Sequence, residues 1–284
     1  MRSIRAYGAV LLVVEDGVDY MDEAARLAKE NGWYDVDQVR NRRPPARPPA
    51  RPLRLGHPSR PLLQYDNLAN STAHEETLAP ELLEQTENTI THFVAGGSTG
   101  GTLSGVGRGL KKVKPDVTIV LADPDGSVFA PMFETGELVE QGKFLVEGVG
   151  KGNIRAPPCA PRPHRLPDVP PQPRLSGRVW PAAAGNMDFS VVDETIVISD
   201  DESFSTCHLL AQTEGILVGG SAGMNVCAAL KIAEAAPDGS VVATILCDNG
   251  VKYLSKVYSN EWLDDNGMSK VEDTSVLAPA SAKL

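Results

Sequence analysis

The chain has 284 residues, 42% of them hydrophobic, with a formal net charge of −10 at pH 7. That length buries one large core or two smaller ones, and the acidic balance argues against a nucleic-acid binder. No apolar run approaches the roughly 18 residues of a membrane helix, and the start MRSIRAYGAVLLVVEDG lacks a small-residue cleavage site, so neither a membrane span nor a signal peptide is expected.

In chain order, residues 7–14 predict a strand and MDEAARLAKENG an amphipathic helix ended by Gly32. Residues 39–64 then hold seven prolines and seven arginines with no acid. STAHEETLAPELLEQT predicts one helix, capped by Ser71 or Thr72 with acids in its first turn. ITHFVAG reads as a buried strand, TLSGVGRGLKKVKP as a helix stopped by Pro115, and VTIVLADP as the next strand. Residues 155–184 hold nine prolines and five arginines against one acid. ETIVISDDESFSTCHLLAQTEG predicts a short strand and a helix with Ser199 or Asp200 as cap. A strand ILVGG, a helix AGMNVCAALKIAEAAP and a strand SVVATILCD follow. The polar tail 267–284 is expected to be flexible.

The two Pro/Arg-rich segments together contain 16 of the 22 prolines. Proline removes backbone donors and blocks helix and central strand, so neither segment is expected to join a core. They read as disordered, intron-like insertions; a PxxP ligand or a basic arm is the alternative. The remaining alternation of strand and helix predicts an α/β domain, a parallel sheet covered by helices in three layers. Cys159, Cys207, Cys227 and Cys247 show no paired spacing, so reduced thiols and no metal site are expected.

Two glycine turns carry the chemistry. Gly96-Gly97-Ser98-Thr99-Gly100-Gly101-Thr102 joins a strand to a helix. Glycines let backbone N–H groups converge there, the helix start adds partial positive charge, and Ser98, Thr99 and Thr102 add hydroxyls. This is a cradle for a phosphate monoester, the alternative being a tight turn without ligand. It is neither a Walker A loop nor G-x-G-x-x-G. Gly219-Gly220-Ser221-Ala222-Gly223 matches G-x-S-x-G, but all five histidines precede Ser221, which defeats the hydrolase reading. Ser221 instead offers a hydroxyl to a ligand at a helix start, or the turn only packs. If each turn follows a strand, both lie on the carboxyl edge of one sheet, where such folds bind ligands. Glu147-Gly148-Val149-Gly150 is a third turn, either a further wall of the pocket or an ordinary surface turn.

STGGT, TLSGVGRGLKK, EGVG, VVDE, GILVGGSAG and ILCDNGVKYLSKVYSNEWL resemble the cystathionine β-synthase and cysteine synthase family of fold type II pyridoxal-phosphate enzymes. The resemblance covers most of residues 3–266 once the two segments are set aside. It implies a remnant of an N-terminal α/β domain at 1–38 and a cofactor-binding domain at 65–154 and 185–266. Ser98, Thr99, Gly100, Gly101 and Thr102 would hold the phosphate of pyridoxal 5'-phosphate, and Ser221 would bond the pyridine nitrogen. Gly148, Val149 and Gly150 would form a pocket wall. Asp248 matches an acid near the ring, though CDNG departs from the family's PDS; a solvated or helix-capping acid is the alternative reading.

The family's Schiff-base lysine stands in a Ser-x-Lys-Asp-type segment and its substrate loop is Ser-Gly-Asn-Thr-type; neither occurs here. The resemblance therefore implies β-replacement on serine or O-acetylserine by a thiol or sulfide in sulfur amino-acid biosynthesis. It also leads to the expectation of a chain shortened at its start, without its catalytic lysine and inactive by itself. A homodimer when complete and a cytoplasmic setting, with an organelle as the alternative, are further expectations. Two readings from other classes stay open: a non-catalytic module for a small phosphorylated ligand, and an interaction protein using the Pro/Arg segments.

Overall fold

Runs of apolar residues become strands where both faces of a sheet are covered. In the computed structural model, which describes residues 68–137, 139–150 and 186–269 with Glu23, Arg26, Leu27, Glu30 and Asn31, four such runs form one sheet. They are β1 (His92–Gly96), β2 (Thr118–Pro124), β3 (Glu194–Ile198) and β4 (Val242–Thr244), all parallel, in the order β3-β2-β1-β4. Phe93, Val94 and Ala95 of β1 and Ile119, Val120, Leu121 and Ala122 of β2 are buried, whereas edge strand β3 exposes Val197.

Side chains alternate across the sheet. Val94 lies opposite Val120, and both join a cluster with Met224, Ala228 and Phe204 from the helices α5 (Asp200–Thr213) and α6 (Gly220–Ala235). Ile119 and Leu121 point the other way, towards α3 (Gly101–Val113) and α4 (Phe129–Thr135). Helices on both faces make three layers, as expected. Each fully buried Leu, Ile or Phe contributes about 1.5–3 kcal/mol. In α3, Gly105 and Gly109 let α1 (Ala69–Glu76) and α2 (Leu78–Gln85) approach closely: a Cβ on Gly105 would meet the Ser71 carbonyl at 2.1 Å.

The helix expected over residues 71–86 is two helices. Pro80 has no N–H to continue a helix, and the break at Thr77 moves it into the first turn of α2, where none is needed. The first helix starts earlier, at Ala69, and neither Ser71 nor Thr72 caps it; Ser71 Oγ donates to the Leu68 carbonyl instead. At α5 the cap is Ser199, in a capping box with Glu202. The run ILVGG joins no sheet. Val218 makes one antiparallel bridge to Asn249, and the Tyr258 hydroxyl takes its N–H (3.1 Å) and donates to its carbonyl (2.7 Å), occupying the groups a neighbouring strand would need. The strand expected over SVVATILCD is confined to β4.

The chain divides into two compact units, Met1–Asn67 and Leu68–Leu284. In the first, Glu23, Arg26, Leu27, Glu30 and Asn31 are helical, within the expected amphipathic helix, and Arg26 pairs with Glu23 at 2.5 Å and Glu30 at 2.6 Å. The strand expected at 7–14, the segments 39–64 and 155–184, and residues 270–284 of the tail lie outside the described residues. Among the described residues no helix is long and apolar enough to cross a membrane, and no group of three His, Cys, Asp or Glu could hold a metal.

Candidate functional site

From β1 the chain runs to β2 and β3 on one side, then returns to β4 on the other. That reversal puts the switch point at the carboxyl ends of β1 and β4, the place where open parallel sheets take ligands.

One wall is the turn from β1 into α3. Gly100 sits at φ +83° as the residue before the helix, and a Cβ there would lie 2.4 Å from the Met187 Cα. Only glycine combines that dihedral with that contact. The N–H groups of Ser98, Thr99 and Gly100 donate to no partner among the described residues. Unpaired N–H groups at a helix start are of the kind that can take an anion. The hydroxyls are less free. Thr99 Oγ1 accepts from Asn70 Nδ2 at 3.0 Å and from the Gly101 N–H at 3.3 Å, while Thr102 Oγ1 lies 3.1 Å from His74 Nε2. Asn70 and His74 both belong to α1, so that helix braces the turn. Burial pulls the His74 pKa down, which favours a neutral ring.

The turn is also held from behind. The Gly150 N–H donates to the Gly97 carbonyl at 2.7 Å, and Val149, 8% exposed, packs on Gly96. Gly148 and Gly150 have φ of 84° and 74°, but Gly148 is exposed, so Val149 and Gly150 carry this wall. Asp200 fixes the approach, its carboxylate accepting from the N–H groups of Leu145 (2.8 Å) and Val146 (3.0 Å).

The opposite wall is the start of α6 and the segment after β4. Ser221 is 6% exposed, in the first turn of α6. Asn225, on the same face one turn later, accepts from the Gly96 N–H at 2.8 Å and donates to the Ile245 carbonyl at 2.9 Å. Because Asn225 meets the end of β1, Ser221 lies about 6 Å nearer the start of the helix. It follows an isolated bridge rather than the expected strand, yet reaches the same sheet edge. Beside it sits Cys247, an exposed residue whose sulfur faces inward; the loss of water around that sulfur and the Asp248 carboxylate raise the thiol, against a hydrogen bond with the Ser221 side chain that lowers it. Asp248 Oδ2 accepts from the Tyr253 hydroxyl at 2.9 Å and Lys252 Nζ at 3.4 Å. Its Oδ1 is buried without a partner among the described residues, and a Cβ on Gly219 would come within 2.2 Å of it.

These groups suit a phosphate monoester with further polar atoms: the N–H groups without partners among the described residues would take the phosphate, and Ser221 and Asp248 offer a hydroxyl and a carboxylate oxygen nearby. Asn70, His74, Asn225, Tyr253 and Tyr258 were missed from sequence. Their roles depend on partners 5 to 129 residues away or on a helix break, and no local pattern marks them.

Residues 59–248 match the model of the family described as pyridoxal-phosphate dependent enzyme. The chain is 35% identical over 204 residues to cystathionine beta-synthase of Apis mellifera, covering 72% of this chain and 34% of that one. It is 34% identical over 208 residues to cysteine synthase 1 of Neurospora crassa, covering 72% and 48%. The crystal structure of O-acetylserine dependent cystathionine beta-synthase from Helicobacter pylori aligns with a TM-score of 0.53 at 34% identity, over 69% of this chain and 53% of that one. The chain thus spans between about a third and a half of the length of these curated relatives.

Proposed function

The chain belongs to the pyridoxal-phosphate-dependent enzyme family, and from that premise we propose that it forms the cofactor-binding part of an enzyme replacing the β-substituent of serine or O-acetylserine with a thiol or sulfide. The names of its relatives, cystathionine beta-synthase and cysteine synthase, support that substrate class. The observation that carries the reading is the row of N–H groups at Ser98, Thr99 and Gly100 without partners among the described residues, on a turn only glycine can make.

When bound, pyridoxal phosphate supplies the electron sink for loss of a β-substituent. In this chain, residues 98–102 hold the phosphate by backbone donors, with the hydroxyls of Thr99 and Thr102 oriented by Asn70 and His74. Ser221 offers the ring nitrogen a neutral hydrogen bond. A hydroxyl cannot hold that nitrogen protonated as a carboxylate would, which moderates the sink and suits elimination at the β-carbon. Val149 and Gly150 keep the turn in place and close one side against water. These 284 residues contain no Ser-x-Lys-Asp-type segment, so on their own they hold the cofactor without turning over.

The test is a titration of the full chain with pyridoxal phosphate, with inorganic phosphate as competitor. It is paired with an assay for cysteine or cystathionine from serine or O-acetylserine. Saturable binding, competed by phosphate and without product, is expected. Binding indifferent to phosphate contradicts the cradle. Turnover with one borohydride-fixed lysine contradicts the inactivity.

A further inference from the structure

Strands β1 and β4 pair through three registered positions, His92 with Val242, Phe93 with Ala243 and Val94 with Thr244. Beyond Val94 the ladder stops. At that point a side chain takes over the work of the ladder. Asn225, 1% exposed, places Oδ1 against the Gly96 N–H at 2.8 Å and Nδ2 against the Ile245 carbonyl at 2.9 Å, with Cys247 Sγ 3.5 Å from the same nitrogen. One amide thus satisfies the last free donor of β1 and an acceptor just past β4. An amide is the fitting group, since it carries an acceptor and a donor on one rigid plane. Below it, the Thr244 hydroxyl donates to the Val94 carbonyl at 2.7 Å, closing the strands where the ladder ends.

The two walls of the site hang on this link. Gly96 leads directly into the phosphate cradle, Ile245 leads into Cys247 and Asp248, and Asn225 shares its helix face with Ser221. We infer that Asn225 is a positioning residue that sets the gap between the phosphate cradle and the ring-side groups, so that pyridoxal phosphate spans both at once. The inference rests on the reading of the site as a pyridoxal-phosphate site.

It predicts a split that loss of stability alone does not produce. Inorganic phosphate needs only the cradle, whereas pyridoxal phosphate needs cradle and ring side in register. In Asn225→Leu, which keeps the branched heavy-atom shape but removes both hydrogen bonds, pyridoxal phosphate affinity should fall by about tenfold or more, with phosphate affinity kept within about twofold. Asn225→Ser is the second variant, and urea midpoints confirm that each is folded at the titration temperature. Calorimetry of the full chain with each ligand decides. Equal losses for both ligands, no loss for either, or failure of both variants to fold makes Asn225 a purely structural residue and overturns the inference. If the parent chain binds neither ligand, the reading of the site falls and takes the inference with it. Parent binding with no split in the variants removes the inference alone.

Discussion

The two walls of the site are built by different means. The cradle side is backbone: Gly97 to Gly101 turn between β1 and α3, and the free groups are N–H donors set by main-chain dihedrals. The ring side is side chains: Ser221, Cys247 and Asp248 come from α6 and the segment after a three-residue strand, brought together by Asn225 and Tyr258. The difference teaches what each wall tolerates. A backbone site fails when one residue loses its dihedral and is indifferent to most side chains. A side-chain site fails by degrees, as each long-range hydrogen bond is removed.

The largest expected effect is therefore at Gly100. Gly100→Asp adds a Cβ at φ +83°, 2.4 Å from the Met187 Cα, and a carboxylate where an anion binds. Affinity for phosphate and for pyridoxal phosphate should fall by about a hundredfold or more in calorimetry. Retained binding would show that the cradle is not the anion site.

Next is a pH effect on the cradle side. Asp123, at the end of β2, is fully buried, its Oδ2 accepting from the Ala130 N–H at 2.8 Å; burial raises its pKa from 3.8 to about 6. A raised acid binds its proton more tightly when folded. Its contribution to stability is complete below about pH 4 and is lost as pH rises through 6. Urea unfolding at pH 4.5 and 7 should differ by a component on the order of 2 kcal/mol that Asp123→Asn removes. An unchanged pH dependence in the variant would place the loss elsewhere.

On the ring side, Tyr258→Phe deletes the hydroxyl that serves both backbone groups of Val218. The unfolding free energy should drop by about 1–3 kcal/mol, and pyridoxal phosphate affinity should fall more than phosphate affinity. Equal falls would erase the distinction between the walls. The smallest effect belongs to Ser221→Ala, which removes one neutral hydrogen bond. About 1 kcal/mol, or roughly fivefold in pyridoxal phosphate affinity, is expected, with phosphate binding untouched.

The same contrast explains what could be read in advance. Strands β1 and β2, helix α3 and the glycine turn between them were legible because their signals are local: an apolar run, a cluster of Gly, Ser and Thr, then a helix-forming segment stopped by Pro115. The Ser199 cap was legible for the same reason. ILVGG carried an equally apolar signal and misled, because the Tyr258 hydroxyl, 40 residues away, occupies the Val218 backbone. The helix break at Thr77 was missed because Pro80 was read inside one helix running from its cap to Thr86. Asn225 looked like any polar residue in a helix. Its role depends on Gly96, 129 residues earlier, and on Ile245, 20 later.

The central claim is that backbone donors at Ser98, Thr99 and Gly100 bind phosphate. Amide-resolved NMR of the full chain titrated with inorganic phosphate tests it most directly. Saturable shifts confined to the amides of residues 98–102, absent in Gly100→Asp, are predicted. Shifts centred elsewhere, or none at all while pyridoxal phosphate still binds, would contradict it.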